Sequence, residues 1–272
     1  MLKLSRPAKP STFDSESRSA EQDVQHAIRK CKKPTFDNEV WRHFKDDFVE
    51  CQHGRCAYCE RRLSDTGQLE HFRPRSRITQ LYDDPGTWGI EVRGLRTEGR
   101  KFRIISALGY HWLAYSWDNF NASCERCNNA KSSLFPIEDP AGRVLPPTKI
   151  DSAKEKPLLL DPYADIEPAK HLEFDSIGAV QAHDGSPHGW ETVRSLALDR
   201  KSYRESRFDT AERAYACIHA LYSGEEQAKE QALKDLLHLG RNEATASHPG
   251  MVRIIAEQEL LMTWDELQAL MA

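Results

Sequence analysis

Two Cys-x-x-Cys pairs and a Glu-His dipeptide between them are the residues of this chain best suited to chemistry. The first pair is Cys56 and Cys59, the second is Cys124 and Cys127, and the dipeptide is Glu70-His71. A Cys-x-x-Cys turn aims two sulfurs at one point, and two such turns complete a tetrahedral thiolate site for Zn2+. One pair arises readily by coincidence. Two pairs, with Cys31, Cys51 and Cys217 isolated from them, predict a structural zinc. The isolated cysteines read as small hydrophobes or idle thiols. A zinc held this way closes the long loop from Cys59 to Cys124, which must then contain structure of its own.

Phosphodiester hydrolysis needs a base to activate water and positive charge on the phosphate and leaving oxygen. His71 can be the base near neutral pH, and Glu70 beside it can ligate a divalent ion. Adjacent side chains on a regular strand point to opposite faces, so a strand end or bulge must bring the two to one site. The plain alternative for His71 is a hydrogen-bonded surface histidine. Arg73, Arg75 and Arg77 alternate after the dipeptide, which makes a phosphate rail if the segment is extended and a solvated row otherwise. Arg93, Arg96, Arg100, Lys101 and Arg103 follow. The net charge of -4 argues against indiscriminate coating of nucleic acid, yet a local basic patch can still hold phosphates.

Three segments together resemble the HNH endonuclease family: Glu70-His71-Phe72-Arg73-Pro74, Asn119 five residues before Cys124, and Cys124-x-x-Cys127-Asn128-x-x-Lys131. The resemblance implies an α+β, mostly helical chain built on a ββα-metal, treble-clef-like core with a structural zinc on four cysteines. It implies that His71 is the general base and that Glu70 and Asn128 ligate the catalytic ion. Asn119 would brace the connecting loop and help orient the His71 ring. Asn121 competes for that place, and Asn119 is preferred for its spacing to Cys124. Lys131, three residues after Asn128, shares its helical face and would touch phosphate or a carbonyl. Asn128 stands where the family letters have histidine, a common variant, and oxygen ligands favour Mg2+ or Mn2+ over Zn2+ there.

The likeness extends over roughly residues 36 to 207. Cys56-Ala57-Tyr58-Cys59-Glu60, Gly109-Tyr110-His111-Trp112-Leu113-Ala114-Tyr115, Phe135-Pro136, Leu159-Leu160-Asp161-Pro162, 172–178 and Thr192-x-x-x-Leu196-x-Leu198-Asp199-Arg200 look like the PtuB-like nucleases of Septu anti-phage systems and some retrons. That group implies a DNA-cutting subunit directed or restrained by a PtuA-like ATPase of the ABC or SMC type. The chain has no phosphate-binding glycine motif, so ATP dependence would come from the partner. RNA stays open as a substrate, because backbone contacts serve either polymer. A zinc-stabilised scaffold with an inactive site is the rival from another class.

The elements that must position these residues divide the chain in three. Residues 1–35 read as an N-terminal extension and candidate partner-binding segment, irregular to 16 and then a helix over 17–30. Residues 36–140 read as the nuclease core, with an insertion at 78–109 of hairpin or loops around Asp84-Pro85-Gly86. Val40, Trp41, Phe44, Phe48 and Val49 predict one helix over 36–51, stopped at Gly54. Trp112, Tyr115, Trp117 and Phe120 are expected to pack the small core. Residues 141–272 read as mainly helical. A Pro-rich extended stretch runs over 134–162 and a small hairpin joins 172–174 to 179–181. Helices are expected at 193–198, 203–222, 225–239 and 250–262, and a capping box at Thr263-Trp264-Asp265-Glu266 starts the last one. His183 and His188 fall in a surface loop. No apolar run approaches the roughly 18 residues of a membrane span, and 1–9 is basic without the apolar stretch of a secretory signal. Paired cysteines suit zinc in a reducing cytoplasm.

Overall fold

The computed structural model describes residues 1–63, 67–81, 102–144, 155–243 and 247–271. Helix α1 (Phe13–Arg29) buries Phe13, Ser17, Ala20 and Val24, which recur at helical spacing on one face. It begins four residues ahead of the expected start, and its anchor lies in the stretch read as irregular. The Phe13 ring sits edge-on to Phe44 and to Trp117, at 5.1 Å from each. The N-terminal segment therefore shares the aromatic core of the residues that follow it.

The single helix expected over 36–51 is two, α2 (Asn38–Arg42) and α3 (Lys45–Cys51). Asp37 caps α2 by accepting from the Glu39 amide at 2.9 Å. Phe44 breaks the run: its amide donates to the Trp41 carbonyl three residues back, which tightens the turn. Trp41, Phe44 and Phe48 nevertheless all enter the same cluster with Trp117 and Phe120. Tyr115, Trp117 and Phe120 are thus core residues as expected, while Trp112 packs against a separate cluster with Tyr110 and Phe135.

Strand β1 (Gln68–His71) ends on the Glu-His dipeptide. The insertion follows as the antiparallel pair β2 (Ile78–Leu81) and β3 (Phe102–Ser106). The Asp84-Pro85-Gly86 turn and the basic residues 93, 96, 100 and 101 lie outside the described residues. Strand β4 (Phe120–Ser123) pairs antiparallel with β1 in the register Gln68–Ser123, Leu69–Ala122, Glu70–Asn121 and His71–Phe120. After one residue, Cys124, helix α4 (Glu125–Lys131) begins. Two strands distant in sequence and one helix thus form a compact unit. The Thr79 amide donates to the Ser133 carbonyl at 2.8 Å, stitching β2 to the segment after α4.

The C-terminal half holds the expected hairpin, β5 (Leu172–Phe174) with β6 (Val180–Ala182), and, among the described residues, five helices. These are α5 (Pro187–Leu196), α6 (Lys201–Ser223), α7 (Glu226–Leu239), α8 (Pro249–Leu260) and α9 (Trp264–Ala269). Helix α5 ends at Ala197 in the left-handed region, where the Leu198 amide closes onto Val193 at 2.9 Å. The capping box of α9 is formed in both directions by Thr263 and Glu266. Leu196, Tyr203, Ile218, Leu236 and Met251 share one core with Cys56, Tyr58, Cys59 and Cys127, so this core spans the division expected at 140. No described helix is long and apolar enough to cross a membrane.

Phe13→Ala tests whether α1 belongs to the fold. A fully buried phenylalanine is worth about 3–5 kcal/mol on truncation, so urea melts should show a loss of that order. A removable extension would leave the midpoint unchanged.

Candidate metal centre and nucleic-acid cleft

The first cysteine pair is carried on a tight knuckle. His53 and Gly54 take positive φ of 51° and 71° at its entry, and Glu60 takes 62° at its exit. Inside it the Glu60 amide donates to the Cys56 carbonyl at 3.0 Å, and the Cys56 amide donates to the Arg61 carbonyl at 2.9 Å. The Ala57 amide donates to the Ala122 carbonyl at 3.1 Å, docking the knuckle on β4. The second pair opens α4. Cys124 is its N-cap and the Cys127 amide points at the Cys124 sulfur from 3.5 Å.

The four sulfurs lie within 4.8 Å of one another, and Cys59 Sγ is 3.7 Å from Cys124 Sγ. A tetrahedron of Zn–S bonds of about 2.3 Å has edges of about 3.8 Å, so these residues fit zinc. Burial pushes the Cys56 and Cys127 thiols up, whereas hydrogen bonds from Cys127, Cys56 and Cys59 favour the thiolate at Cys124. A divalent cation is the natural replacement for the protons of buried thiols gathered this closely. The Tyr203 hydroxyl lies 3.4 Å from Cys127 Sγ and 3.6 Å from Cys124 Sγ, and Arg200 donates to that hydroxyl at 3.2 Å. Tyr203 lies in the first turn of α6 and Arg200 is that helix's N-cap, far along the chain, and nothing in the sequence tied either to the sulfurs. The Thr192-to-Arg200 motif is the turn that delivers them.

Glu70 and His71 leave β1 on opposite faces, and each meets a different environment. His71 is buried between the rings of Trp41 and Phe120, with centroids 4.9 and 5.0 Å away. Its Nε2 donates to the Ala114 carbonyl at 2.9 Å, which leaves Nδ1 as the acceptor. An Arg75 guanidinium nitrogen donates to Nδ1 at 3.1 Å. Burial, with Arg75 adding to it, holds the imidazole well below its ordinary pKa, so the ring is neutral near pH 7.

Glu70 is buried on the other face. The Tyr58 hydroxyl donates to its Oε1, and Lys131 Nζ stands 2.9 Å from Oε2. Lys131 also donates to the His71 carbonyl at 2.7 Å. Of the two contacts expected for Lys131 the carbonyl is the one made. Its ammonium is wholly enclosed and does not line a phosphate surface. Helical spacing gives the face on which this lysine lies but not what covers that face.

Asn119 braces the loop that follows β1. Its Oδ1 accepts from the Arg73 amide at 2.7 Å, and its Nδ2 donates to the carbonyls of Arg73 and Leu113 at 3.0 and 3.1 Å. It makes no hydrogen bond to the His71 ring; it holds the backbone at Leu113, next to the Ala114 carbonyl that meets the ring, and at Arg73. Asn121 instead faces Glu70, donating to the Tyr58 oxygen at 2.8 Å, and its own Oδ1 is buried without a partner among the described residues. Asn128 donates to Gln68 Oε1 at 2.5 Å from the start of α4.

A cleft of about 440 Å³ has Glu70, His71, Arg75, Arg77, Asn128 and Lys33 among its lining residues. Arg73 is not part of it: its guanidinium lies 5.3 Å from the Phe135 ring centroid, on another side of the segment. The three arginines thus do not form one rail, because Pro74 and the loop turn them apart. Lys33 was missed because it belongs to a run of exposed cations with no local partner pattern. Glu70 and Asn128 both line this cleft and offer hard oxygen donors of the kind Mg2+ or Mn2+ takes, a donor set that suits such an ion.

Among curated proteins the chain is 31% identical, over 225 residues, to the Septu protein PtuB of Bacillus mycoides (strain KBAB4). The match covers 78% of this chain and 67% of that protein. The chain belongs to the Septu PtuB family. The likeness takes in more of the chain than the stretch 36–207 and so reaches beyond the unit that carries the cleft. No family model and no solved structure matches the chain.

Two expectations follow from this geometry. Cys127→Ser should lose bound zinc by elemental analysis and lose the cooperative thermal transition, since a structural zinc site supplies folding free energy. Gly109 packs so closely on the backbone of 74–77 that a Cβ would stand 2.2 Å from the Pro74 carbonyl oxygen. Gly109→Ala should therefore shift Arg75 and Arg77 and weaken nucleic-acid binding in a filter assay while zinc content stays at the wild-type level.

Proposed function

We propose that the chain is a metal-dependent endonuclease of the HNH type that hydrolyses DNA phosphodiester bonds. In this reading it is the nuclease subunit of an anti-phage defence complex with a PtuA-like ATPase of the ABC or SMC type. The observation that carries the reading is the convergence of His71, Glu70, Asn128 and two arginines on one cleft. The unit of β1, β4 and α4 then serves as the ββα-metal core. Membership of the Septu PtuB family supports the defence context and the partner.

His71 is prepared as a base. The Ala114 carbonyl fixes the proton on Nε2, and the depressed pKa keeps Nδ1 free of a proton. Nδ1 takes a proton from water as the water oxygen attacks phosphorus, and the 3′ oxygen leaves. Arg75 gives up its bond to Nδ1 when a phosphate is present, because a guanidinium prefers the charged oxygen to a neutral ring nitrogen. Arg75 and Arg77 hold the backbone without reading bases, so intrinsic sequence preference is low. Asn119 keeps the loop in place beneath this chemistry. A Mg2+ or Mn2+ ion held by Glu70 and Asn128 would supply positive charge to the phosphate and leaving oxygen.

The decisive assay incubates plasmid with Mg2+ and either the wild type or His71→Ala, with and without the ATPase. Loss of a general base costs about 10²–10⁴-fold in rate. Equal nicking by both proteins would remove His71 from the mechanism, and nicking by neither, with the ATPase present, would favour a scaffold. Parallel RNA substrates decide the polymer. Arg75→Gln gives a second check through pH. Arg75 lowers the His71 pKa, so its removal raises that pKa toward 6.5. More His71 is then protonated on the acid side, and the acid limb of kcat/KM should move to higher pH. An unmoved limb would separate Arg75 from His71.

A further inference from the structure

The first cysteine knuckle does more than hold sulfur. Tyr58 stands between the ligands Cys56 and Cys59, and its side chain is almost wholly enclosed. Its hydroxyl donates to Glu70 Oε1 and accepts from Asn121 Nδ2 at 2.8 Å. Asn121 Nδ2 also lies 3.4 Å from that carboxylate oxygen. The preceding backbone amide, that of Ala57, is bonded to Ala122, the neighbour of Asn121. The hydroxyl is thus located by the knuckle on one side and by β4 on the other. It has one donor role and one acceptor role, and both are used.

We propose that Tyr58 is a positioning residue for the catalytic ion: its hydroxyl, carried on the zinc knuckle, fixes the carboxylate of Glu70 in the orientation that ligates the ion. The proposal rests on the ion site assigned above to Glu70 and Asn128. A carboxylate offers about four lone-pair directions. Tyr58 and Asn121 take Oε1 and Lys131 takes one direction on Oε2, which leaves one direction on Oε2 for an ion and sets the plane of the group. The zinc then reaches the carboxylate through the Tyr58 side chain. Moving the knuckle moves the hydroxyl, and with it the acid that holds the second metal. Lys131 supports the same carboxylate from α4, whereas Tyr58 links it directly to the zinc ligands' own turn.

The test uses full-length, zinc-loaded protein without nucleic acid, and Mn2+ as the probe, followed by electron paramagnetic resonance. Tyr58→Phe removes the hydroxyl and keeps the ring that fills the core. Zinc content and thermal midpoint should stay close to wild type. Mn2+ affinity should fall by about 10–100-fold, the usual cost of removing a hydrogen-bond partner behind a metal ligand. Nicking by Tyr58→Phe should recover as Mn2+ is raised, because the defect lies in ion binding. Asn121→Ser removes the donor to the same hydroxyl and leaves the zinc ligands untouched. It should weaken Mn2+ binding in the same direction and decides the question alone if Tyr58→Phe loses zinc. Wild-type Mn2+ affinity in a zinc-replete variant overturns the positioning role and leaves the ion site standing. A wild-type protein whose Mn2+ uptake is absent, or unaltered by Glu70→Gln, overturns the ion site and the positioning role together.

Discussion

The rest of the structure depends on four sulfurs being held at one point. Their backbone positions are more than sixty residues apart in sequence at the widest separation between pairs, and closing such a loop has an entropic cost. A tetrahedral dication there would offset that cost and also remove an electrostatic difficulty, since buried thiols resist ionisation and four unpaired thiolates would repel one another. With the knuckle seated on β4 and Cys124 opening α4, the strand pair and the helix are locked into one unit. β1 needs that lock, because a two-stranded sheet is marginal by itself.

The two faces of β1 do different work. On one face an imidazole is buried among aromatic rings with one nitrogen committed to a backbone carbonyl. On the other a carboxylate is paired with an enclosed ammonium and a tyrosine hydroxyl. Breaking a buried ion pair of this kind costs about 3–5 kcal/mol, because it leaves an uncompensated charge in a low-dielectric setting. Lys131 is therefore a structural cation. It ties α4 to the carbonyl of His71 and the side chain of Glu70 at once, so helix and strand keep their register where the candidate chemistry sits.

Much of this was legible from residue types. The two cysteine pairs converge as their spacing predicts, the hairpin over 172–182 pairs around its glycine turn, and α6, α7, α8 and the capping box at Thr263 fall where periodicity and cap residues put them, whereas α5 runs over Pro187–Leu196 in place of the expected 193–198. Local signals sufficed there because the interactions are local. Other features escaped. Phe13 begins a helical face whose next members, Ser17 and Ala20, are small, so the pattern is faint, and packing against Phe44 and Trp117 makes it an anchor. The helix expected over 36–51 breaks at Phe44 because the aromatic cluster, not the backbone propensity, decides the geometry. Arg73, Arg75 and Arg77 look equivalent in sequence, yet the turn at Pro74 sends Arg73 to the Phe135 ring and keeps the other two on the cleft.

By itself the amino-acid sequence determined the ligand types: paired thiols for a soft, tetrahedral ion, and a histidine beside a carboxylate with asparagines at helix and loop spacing. Residue chemistry and short-range spacing are written in the order of the letters, so these could be read directly. Only the tertiary structure decided which nitrogen of His71 meets the Ala114 carbonyl and which meets Arg75, that Lys131 is enclosed, and that Tyr58 stands against Glu70 and Tyr203 beside the cysteine sulfurs. Those outcomes depend on burial and on partners brought from distant segments, and desolvation and long-range contact have no signature in a local pattern.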